Sequence, residues 1–352
     1  MTVGTPQCKA WAVLKPGGDV VDFSYTPKPL EREEVEIAVD ACGVCHSDLH
    51  QQQNDWKIGN YPMVVGHEII GRITALGPAV SGVKLGQRVG VGPQCGSCEQ
   101  CNECQTGVPQ LCTQRIDIYN SPTGTPEQPH TYGGFSESVR CNYKWVFPIP
   151  DGLDSVDAAP IMCAGLTTWA PFQRHNVQRG DAVGIIGIGG LGHMAIQFAS
   201  ALGFETTAIS TSANKREEAV KLGAKHFLNV KDTDQMKKTA ATFDFMLMTV
   251  PAENFDWATY LNLLKPQGKM CIVGVTNMIT IPSFALVARN ITVVGSLLAP
   301  PSEIRRMLQF AADHKIHAMT ESLPMNANNC NAALKKVAAN SVRYRMVLVN
   351  NH

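Results

Sequence analysis

Charge is scarce in this chain, and what there is cancels. Charged residues make up 17% of the 352 residues, and the formal net charge is zero. No basic block stands out, so nucleic acid and anionic membrane are not expected partners. No run of about 18 apolar residues occurs, and the opening MTVGTPQCKAW lacks an apolar signal core, so neither a membrane span nor an export leader is expected. The closing VNNH carries no recognisable address. Internal repeats and low-complexity tracts are also missing. What remains is a cytoplasmic globular protein, long enough for two domains and, at 44% hydrophobic residues, able to fill large cores.

Cysteine is abundant by contrast, with twelve in the chain. In a cytoplasmic protein these read as metal ligands and small buried hydrophobes, with disulfides a minor reading. Cys98, Cys101, Cys104 and Cys112 follow C-x2-C-x2-C-x7-C. Four thiolates so spaced can close the shell of one tetrahedral Zn2+, which then holds a lobe (92–115) together and has no room for substrate. An iron–sulfur centre also uses four cysteines. Cys95 creates a competing set with Cys98, Cys101 and Cys104. The set ending at Cys112 is favoured, because its longer last step lets the chain wrap the ion, and Cys95 is then a spare thiol.

The pattern along the chain changes near residue 150. Before it, short alternating runs predict a β-rich lobe, with strands at Glu34–Ala41, Ile69–Leu76, Arg88–Val91 and Phe135–Val139. After it, apolar strands alternate with helices: Ala182–Ile186 then Met194–Leu202, Thr206–Ser210 then Lys215–Leu222, Phe243–Met248 then Phe255–Leu264, and finally Met270–Val273. Such alternation predicts a doubly wound parallel sheet with both faces covered. In its first helix Met194, Phe198, Ala201 and Leu202 fall on one face, expected against the sheet. The tail predicts helices at Ser302–Asp313 and Asn328–Ala338 and a last strand, Arg345–Val349, that rejoins the first lobe. The expected division is a first domain over 1–153, a nucleotide domain over 154–297 and a return segment over 298–352.

Gly187, Ile188, Gly189, Gly190, Leu191 and Gly192 fit G-x-G-x-x-G between an apolar strand and an amphipathic helix. In that context the motif is a dinucleotide fingerprint, with the pyrophosphate at the helix N-terminus. One thing is again lacking. The second strand ends in Ser210, Thr211 and Ser212, where an NAD site carries a carboxylate for the ribose 2'-hydroxyl. Hydroxyls followed by Lys215 and Arg216 suit a 2'-phosphate, so NADP(H) is expected over NAD(H). A second metal set is offered by Cys45, His67 and Cys163. Two thiolates and an imidazole leave a fourth position open, which makes a Lewis-acid zinc. On spacing alone Cys42 and Cys45 are interchangeable.

CGVCHSDLH, GHE, the four-cysteine lobe, YNSP, TYGGFSE, MCAGLTTW and GIGGLGHMA occur in one order. Together they resemble the zinc-containing medium-chain dehydrogenases, nearest to the cinnamyl-alcohol-dehydrogenase-type, NADP-dependent branch. The resemblance implies a GroES-like β-rich catalytic domain joined to a Rossmann domain. It implies two zinc ions per chain, catalytic at Cys45, His67 and Cys163 and structural at Cys98, Cys101, Cys104 and Cys112. It implies hydride transfer between NADP(H) and a primary alcohol or aldehyde, whether cinnamyl, benzylic or aliphatic. The proton would leave through Ser47, the cofactor ribose and His50. Asp48 is expected to orient His67, and Glu68 to approach the metal. Thr167, Thr249, Gly274 and Leu297 are expected to touch the cofactor, and Trp56, Tyr119 and Leu297 to line the substrate site. A homodimer joined along Met278–Leu298 is also implied. Two departures stand out: the extra Cys95, and Pro109 where relatives carry Glu. Two other classes remain as alternatives, a zinc-free quinone or enoyl reductase of the same fold and a non-catalytic NADPH-binding regulator.

Overall fold

The computed structural model describes residues 7–250, 255–275 and 278–350. Residues 1–6 and 351–352, part of the ends read above for a leader and an address, lie outside that range. The chain divides into two units, one running to Cys163 and resuming at Ala299, the other Ala164–Leu298. The first boundary therefore lies beyond the expected 153. The helix Ser155–Pro160 packs on the strands Glu34–Val44 and Glu68–Leu76 of the first unit. It begins with Asp154 accepting a hydrogen bond from the Val156 N–H at 2.8 Å, an N-cap. Pro160 interrupts it, since proline supplies no backbone N–H, and the chain continues as a single π-helical turn over Ile161–Gly165. Such turns recur at functional positions, and this one carries Cys163.

The first unit is built on a seven-stranded sheet. Its order is Thr320–Pro324, Arg345–Val349, Glu34–Val44, Glu68–Leu76, Arg88–Val91 and Phe147–Pro148, with Ser138–Asn142 also paired to Glu34–Val44. Along Glu34–Val44 the residues Val35, Ile37, Val39 and Ala41 are buried in alternation, as a strand with one face on a core requires. Its last three residues, Cys42, Gly43 and Val44, are all buried, because Arg345–Val349 pairs antiparallel over Ala41–Val44. The tail thus joins the first unit's sheet. Its helix Pro301–Asp313 buries Ile304, Met307, Leu308 and Ala311, the spacing of one helical face.

One expectation here needs correction, and one element was unforeseen. The strand expected at Phe135–Val139 lies at Ser138–Asn142. Phe135 instead bridges two other segments: its N–H donates to the Val65 carbonyl at 2.9 Å and its carbonyl accepts from Trp11 at 2.8 Å. A hairpin of Cys8–Val13 and Val20–Tyr25 was not expected.

In the second unit six parallel strands lie in the order His226–Asn229, Glu205–Ser210, Ala182–Ile186, Phe243–Met248, Leu264–Ile272 and Thr292–Gly295. Numbered along the unit this is 3-2-1-4-5-6, the doubly wound dinucleotide-binding topology. Helix Gly192–Ala201 buries Met194, Ala195, Ile196, Phe198 and Ala199. The expected Ala201 and Leu202 are half-exposed at its end. The helix expected at Phe255–Leu264 is shorter, Trp257–Leu261. Its end is pulled into the sheet, where the Leu263 carbonyl accepts from the Thr242 and Phe243 N–H groups at 2.8 and 3.0 Å. The strand expected at Met270–Val273 begins at Leu264 for the same reason. Among the described residues, no helix is long and apolar enough to cross a membrane.

Candidate metal centres and nucleotide turn

The thiols of Cys98, Cys101, Cys104 and Cys112 converge, their sulfurs all within 4.8 Å of one another. The segment folds this way because it is knotted locally. Cys101 opens the short helix Asn102–Gln105, and its N–H points at Cys98 Sγ, 3.4 Å away. The Gln114 N–H reaches Cys112 Sγ at 3.3 Å. Backbone donors from Gln100 and Cys101 lower the Cys98 thiol to about 6, so Cys98 favours the thiolate that binds metal, while the hydrogen bonds that Cys101 gives to its neighbours push its own thiol up. Cys95 is not in this group. It is 4% exposed among the apolar core residues, and burial pushes its thiol well above the usual range.

A second convergence joins Cys45, His67, Glu68 and Cys163, again with one donor atom each within 4.8 Å. Cys45 is the first residue beyond the strand Glu34–Val44 and caps the helix His46–Gln53. Cys42 stays inside that strand, fully buried, and takes no part. The Cys45 thiol is held well below its ordinary value, first by a hydrogen bond from Cys163 and then by the imidazole of His67. His67 Nδ1 lies 2.9 Å from Asp48 Oδ1, which leaves Nε2 as its free donor nitrogen. Asp48 is fully buried and also accepts from the Cys45 N–H at 2.9 Å and the Gly66 N–H at 3.0 Å.

Glu68 has two different oxygens. Oε1 is ion-paired with the buried Arg345. Oε2 is buried with no hydrogen-bond partner, beside two thiols and an imidazole. A carboxylate oxygen left bare in a low-dielectric interior is costly, and a cation among these four donors removes that cost. The donor set therefore fits a zinc ion. Gly43 opposes Glu68 across the sheet, and a Cβ there would stand 1.9 Å from Oε2, so the glycine makes room for the carboxylate. Arg345 had not been picked out from the sequence; its only signal is a charge opening an otherwise apolar final strand.

Ser47 and His50 lie one turn apart on the helix His46–Gln53, hence on one face. Ser47 Oγ is 3.8 Å from Cys45 Sγ. His50 Nδ1 meets Asp55 Oδ2 at 2.8 Å, and its ring lies against Trp56, centroids 5.4 Å apart. Asp55 was also unanticipated. It is positioned because Asn54 takes a left-handed conformation, φ 57°, which ends the helix and turns the chain back. Tyr119, expected at the substrate site, is 7% exposed and turns its hydroxyl toward His67, 3.4 Å from Nδ1.

In the second unit Gly187 follows the first strand with φ +92°, a conformation that favours glycine. A Cβ on Gly192 would stand 1.9 Å from the Gly187 carbonyl, while nothing lies within 4 Å of one on Gly189. The turn is closed on its inner side and open on its outer side, a cradle for a pyrophosphate. No side chain caps the helix start at Leu191, and although the His193 and Met194 N–H groups donate to the Gly189 and Leu191 carbonyls at 3.0 and 3.1 Å, the positive end of the helix dipole favours an anion there. Ile188 is buried and Gly190 half-buried. Thr249 supports the turn, its hydroxyl donating to the Ile186 carbonyl at 2.8 Å. Gly274 follows the carboxyl end of Leu264–Ile272. Thr167 is half-buried in Leu166–Arg174, and the Leu297 carbonyl accepts from Arg174 at 3.2 Å. At the end of the second strand, Ser210 Oγ accepts from the Ser212 N–H at 3.1 Å, and Thr211 is exposed. Lys215 lies 3.6 Å from Glu218, and Arg216 stacks on Phe227 at 4.9 Å.

Comparison with known proteins gives two family matches, an alcohol dehydrogenase GroES-like domain over residues 31–151 and a zinc-binding dehydrogenase domain over residues 190–313. Cinnamyl alcohol dehydrogenase 8 of Arabidopsis thaliana is 37% identical over 334 residues, 94% of this chain and 92% of that protein. A cinnamyl alcohol dehydrogenase structure from Sorghum bicolor superposes with a TM-score of 0.92 at 35% identity, covering 98% of each chain. A second structure, from Helicobacter pylori and complexed with NADP(H), gives 0.88 at 28% identity, covering 97% of this chain and 98% of that one.

Proposed function

The chain belongs to the zinc-binding alcohol dehydrogenases and interconverts alcohols and aldehydes, and from that premise we propose how its residues divide the work. Cys45, His67 and Cys163 hold the catalytic zinc, and Cys98, Cys101, Cys104 and Cys112 the structural one. The turn from Gly187 to Gly192 holds the pyrophosphate of NADP(H), with Thr167, Thr249, Gly274 and Leu297 as further contacts. Ser210, Thr211, Ser212, Lys215 and Arg216 meet the 2'-phosphate. The observation that carries this reading is the bare, buried Glu68 Oε2 beside three soft donors. A zinc-free reductase or a non-catalytic regulator has no use for that arrangement.

When bound, zinc supplies Lewis acidity that lowers the pKa of a hydroxyl, and NADP(H) supplies or accepts the hydride. The chain's own residues do the rest. Asp48 accepts the Nδ1–H of His67, which fixes the ring's orientation and turns Nε2 toward the metal position. Arg345 holds Glu68 Oε1 and leaves Oε2 to face the donors. The Ser47 hydroxyl takes up the alcohol's proton in oxidation as it passes its own proton on toward solvent, and the relay runs backwards in reduction. His50, steadied by Asp55, is the solvent end of that path. A free thiol set of this kind is suited to a reducing cytoplasm. The protein is a homodimer joined through the segment from Met278 to Leu298, supported by Met278, Phe284 and Val287, each more than 70% exposed, beside the edge strand Thr292–Gly295.

One purified sample tests these points. Steady-state rates over cinnamyl, benzylic and aliphatic aldehydes are measured with NADPH and NADH side by side, together with zinc content and sedimentation. The expected result is an NADPH preference above about tenfold, two zinc ions per chain and a dimer. An NADH preference overturns the 2'-phosphate assignment, a single zinc overturns the two-centre assignment, and a monomer overturns the interface.

A further inference from the structure

Residues 55–60 leave the end of the helix His46–Gln53 and double back on it. They carry Asp55, 2.8 Å from His50 Nδ1, and Trp56, whose ring lies against His50. The inner ties of this segment run to the helix end it came from. The Asp55 N–H donates to the His50 carbonyl at 2.9 Å and the Lys57 N–H to the Asn54 carbonyl at 3.1 Å. The Gly59 N–H donates to Asn54 Oδ1 at 3.0 Å, and the Tyr61 hydroxyl to the Gln51 carbonyl at 2.6 Å. Ties on one side alone leave a segment free to swing about them. Lys57 has φ 58°, a conformation that a lysine keeps only where its surroundings impose it. Ile58 is 58% exposed, so burial of that side chain does not supply the restraint.

The outer tie is Asn120, from the segment that follows the short strand Ile116–Asp117. Its Nδ2 donates to the Ile58 carbonyl at 3.0 Å, and its Oδ1 accepts from the Asn60 N–H at 2.8 Å and from Asn60 Nδ2 at 3.0 Å. One side-chain amide thus grips the backbone on both sides of Gly59. Asn120 is itself fixed, because its N–H donates to the Thr131 carbonyl at 2.9 Å. Its φ of 70° is one that asparagine adopts more readily than most residues. We propose that Asn120 is a positioning residue for substrate selection, holding the outer side of residues 55–60 and so keeping Trp56 in place as a wall of the substrate site. The inference rests on the reading of Trp56 as part of that site. A fixed apolar wall contributes to binding in proportion to the surface it covers. A bulky aromatic aldehyde covers much of it and a short aliphatic one little. Asn120 therefore sets which aldehydes bind well and leaves the metal donors untouched.

The test is steady-state kinetics of the holoenzyme with cinnamaldehyde and acetaldehyde. Glycine suits the left-handed backbone at this position, so Asn120→Gly removes the amide without straining the turn. With cinnamaldehyde, kcat/KM is expected to fall about tenfold, the effect of losing two or three exposed hydrogen bonds, chiefly through a raised KM. With acetaldehyde it should stay within about twofold, and zinc content should not change. Asn120→Asp keeps the accepting oxygen and loses only the bond to Ile58, so a fall of about threefold is expected with cinnamaldehyde. An unchanged ratio between the two aldehydes in Asn120→Gly, an equal loss with both, or no recovery in Asn120→Asp overturns the proposal. Trp56→Ala separates the inference from the reading beneath it. If neither aldehyde responds to that change, Trp56 is not at the substrate and the reading fails. If cinnamaldehyde responds to it while Asn120→Gly stays silent, the positioning role alone fails.

Discussion

The candidate metal centre of the first unit and the proposed nucleotide turn of the second are built in opposite ways. At the metal centre, Glu68 and the Arg345 that holds it are 277 positions apart, and Cys45 and Cys163 come from two further segments. Every donor is a side chain, most of them buried, and the fold must be complete before they meet. The nucleotide turn is six consecutive residues whose contribution is backbone: a left-handed glycine, an open cradle and a helix start with no side-chain cap. A side-chain site tolerates backbone adjustment but fails when a donor is removed. A backbone site is indifferent to most side-chain chemistry but fails when a Cβ intrudes. The four-cysteine lobe lies between the two, side-chain-built but local in sequence.

The comparison breaks if the two sites do not fail separately, and removing a donor is the strongest trial. Cys163→Ala takes one thiolate from the set, leaving Cys45, His67 and Glu68. Zinc content is expected to fall from two to one per chain. The loss of Lewis acidity is worth several kcal/mol, so kcat/KM is expected to fall by at least about 10³-fold. NADPH affinity, read by fluorescence titration, should stay within about threefold, which is under 1 kcal/mol. Equal loss of cofactor binding would mean that the sites stand or fall together.

The reverse trial is Gly192→Ala. The added methyl would stand 1.9 Å from the Gly187 carbonyl, and backbone on both sides leaves little to yield. Overpacking of this kind costs roughly 1–3 kcal/mol. If the turn opens to relieve it, NADPH affinity is expected to weaken about 10–100-fold, with both zinc ions retained. Zinc loss in this variant would contradict the separation from the other side.

How the sites are built also decides what could be read from the sequence. The glycine turn and the four-cysteine lobe are contiguous, so their spacing carries nearly all their geometry. Between Cys42 and Cys45 spacing was silent, and the fold decides: the strand runs to Val44, so Cys42 is core and Cys45 is the first residue free to leave the sheet. Arg345 and Asp55 were not legible. A final apolar strand can be recognised, but its register against Ala41–Val44, which brings Arg345 to Glu68, is a tertiary fact. Asp55 depends on the left-handed Asn54. Tyr119 was visible as an aromatic near the site and was read as a pocket wall, because sequence gives no direction for a side chain in a loop. The misjudged ends of the strand near Phe135 and the helix near Trp257 share one cause: hydrogen bonds to remote segments outweighed local apolar periodicity.

The finest distinction concerns a part of the proposed nucleotide site that is built from side chains. Past the glycine turn, at the end of Glu205–Ser210, the hydroxyl of Ser210 stands where a carboxylate would select the unphosphorylated ribose. Ser210 also organises the following turn by accepting the Ser212 N–H at 3.1 Å. Aspartate at this position can accept the same N–H, so Ser210→Asp preserves the turn while adding a negative charge. Near the surface, with effective dielectric between that of water and of the interior, a like charge a few ångströms from a 2'-phosphate costs about 1–2 kcal/mol. The same carboxylate accepts a hydrogen bond from the 2'-hydroxyl of NADH. The ratio of kcat/KM for NADPH over NADH is therefore expected to fall about 10-fold or somewhat more, and raised salt should narrow the difference because exposed charges are screened. Turnover with saturating cofactor should be nearly unchanged, since no metal donor is touched. A ratio that does not move would mean that the phosphate is gripped elsewhere, with Lys215 and Arg216 the next residues to remove.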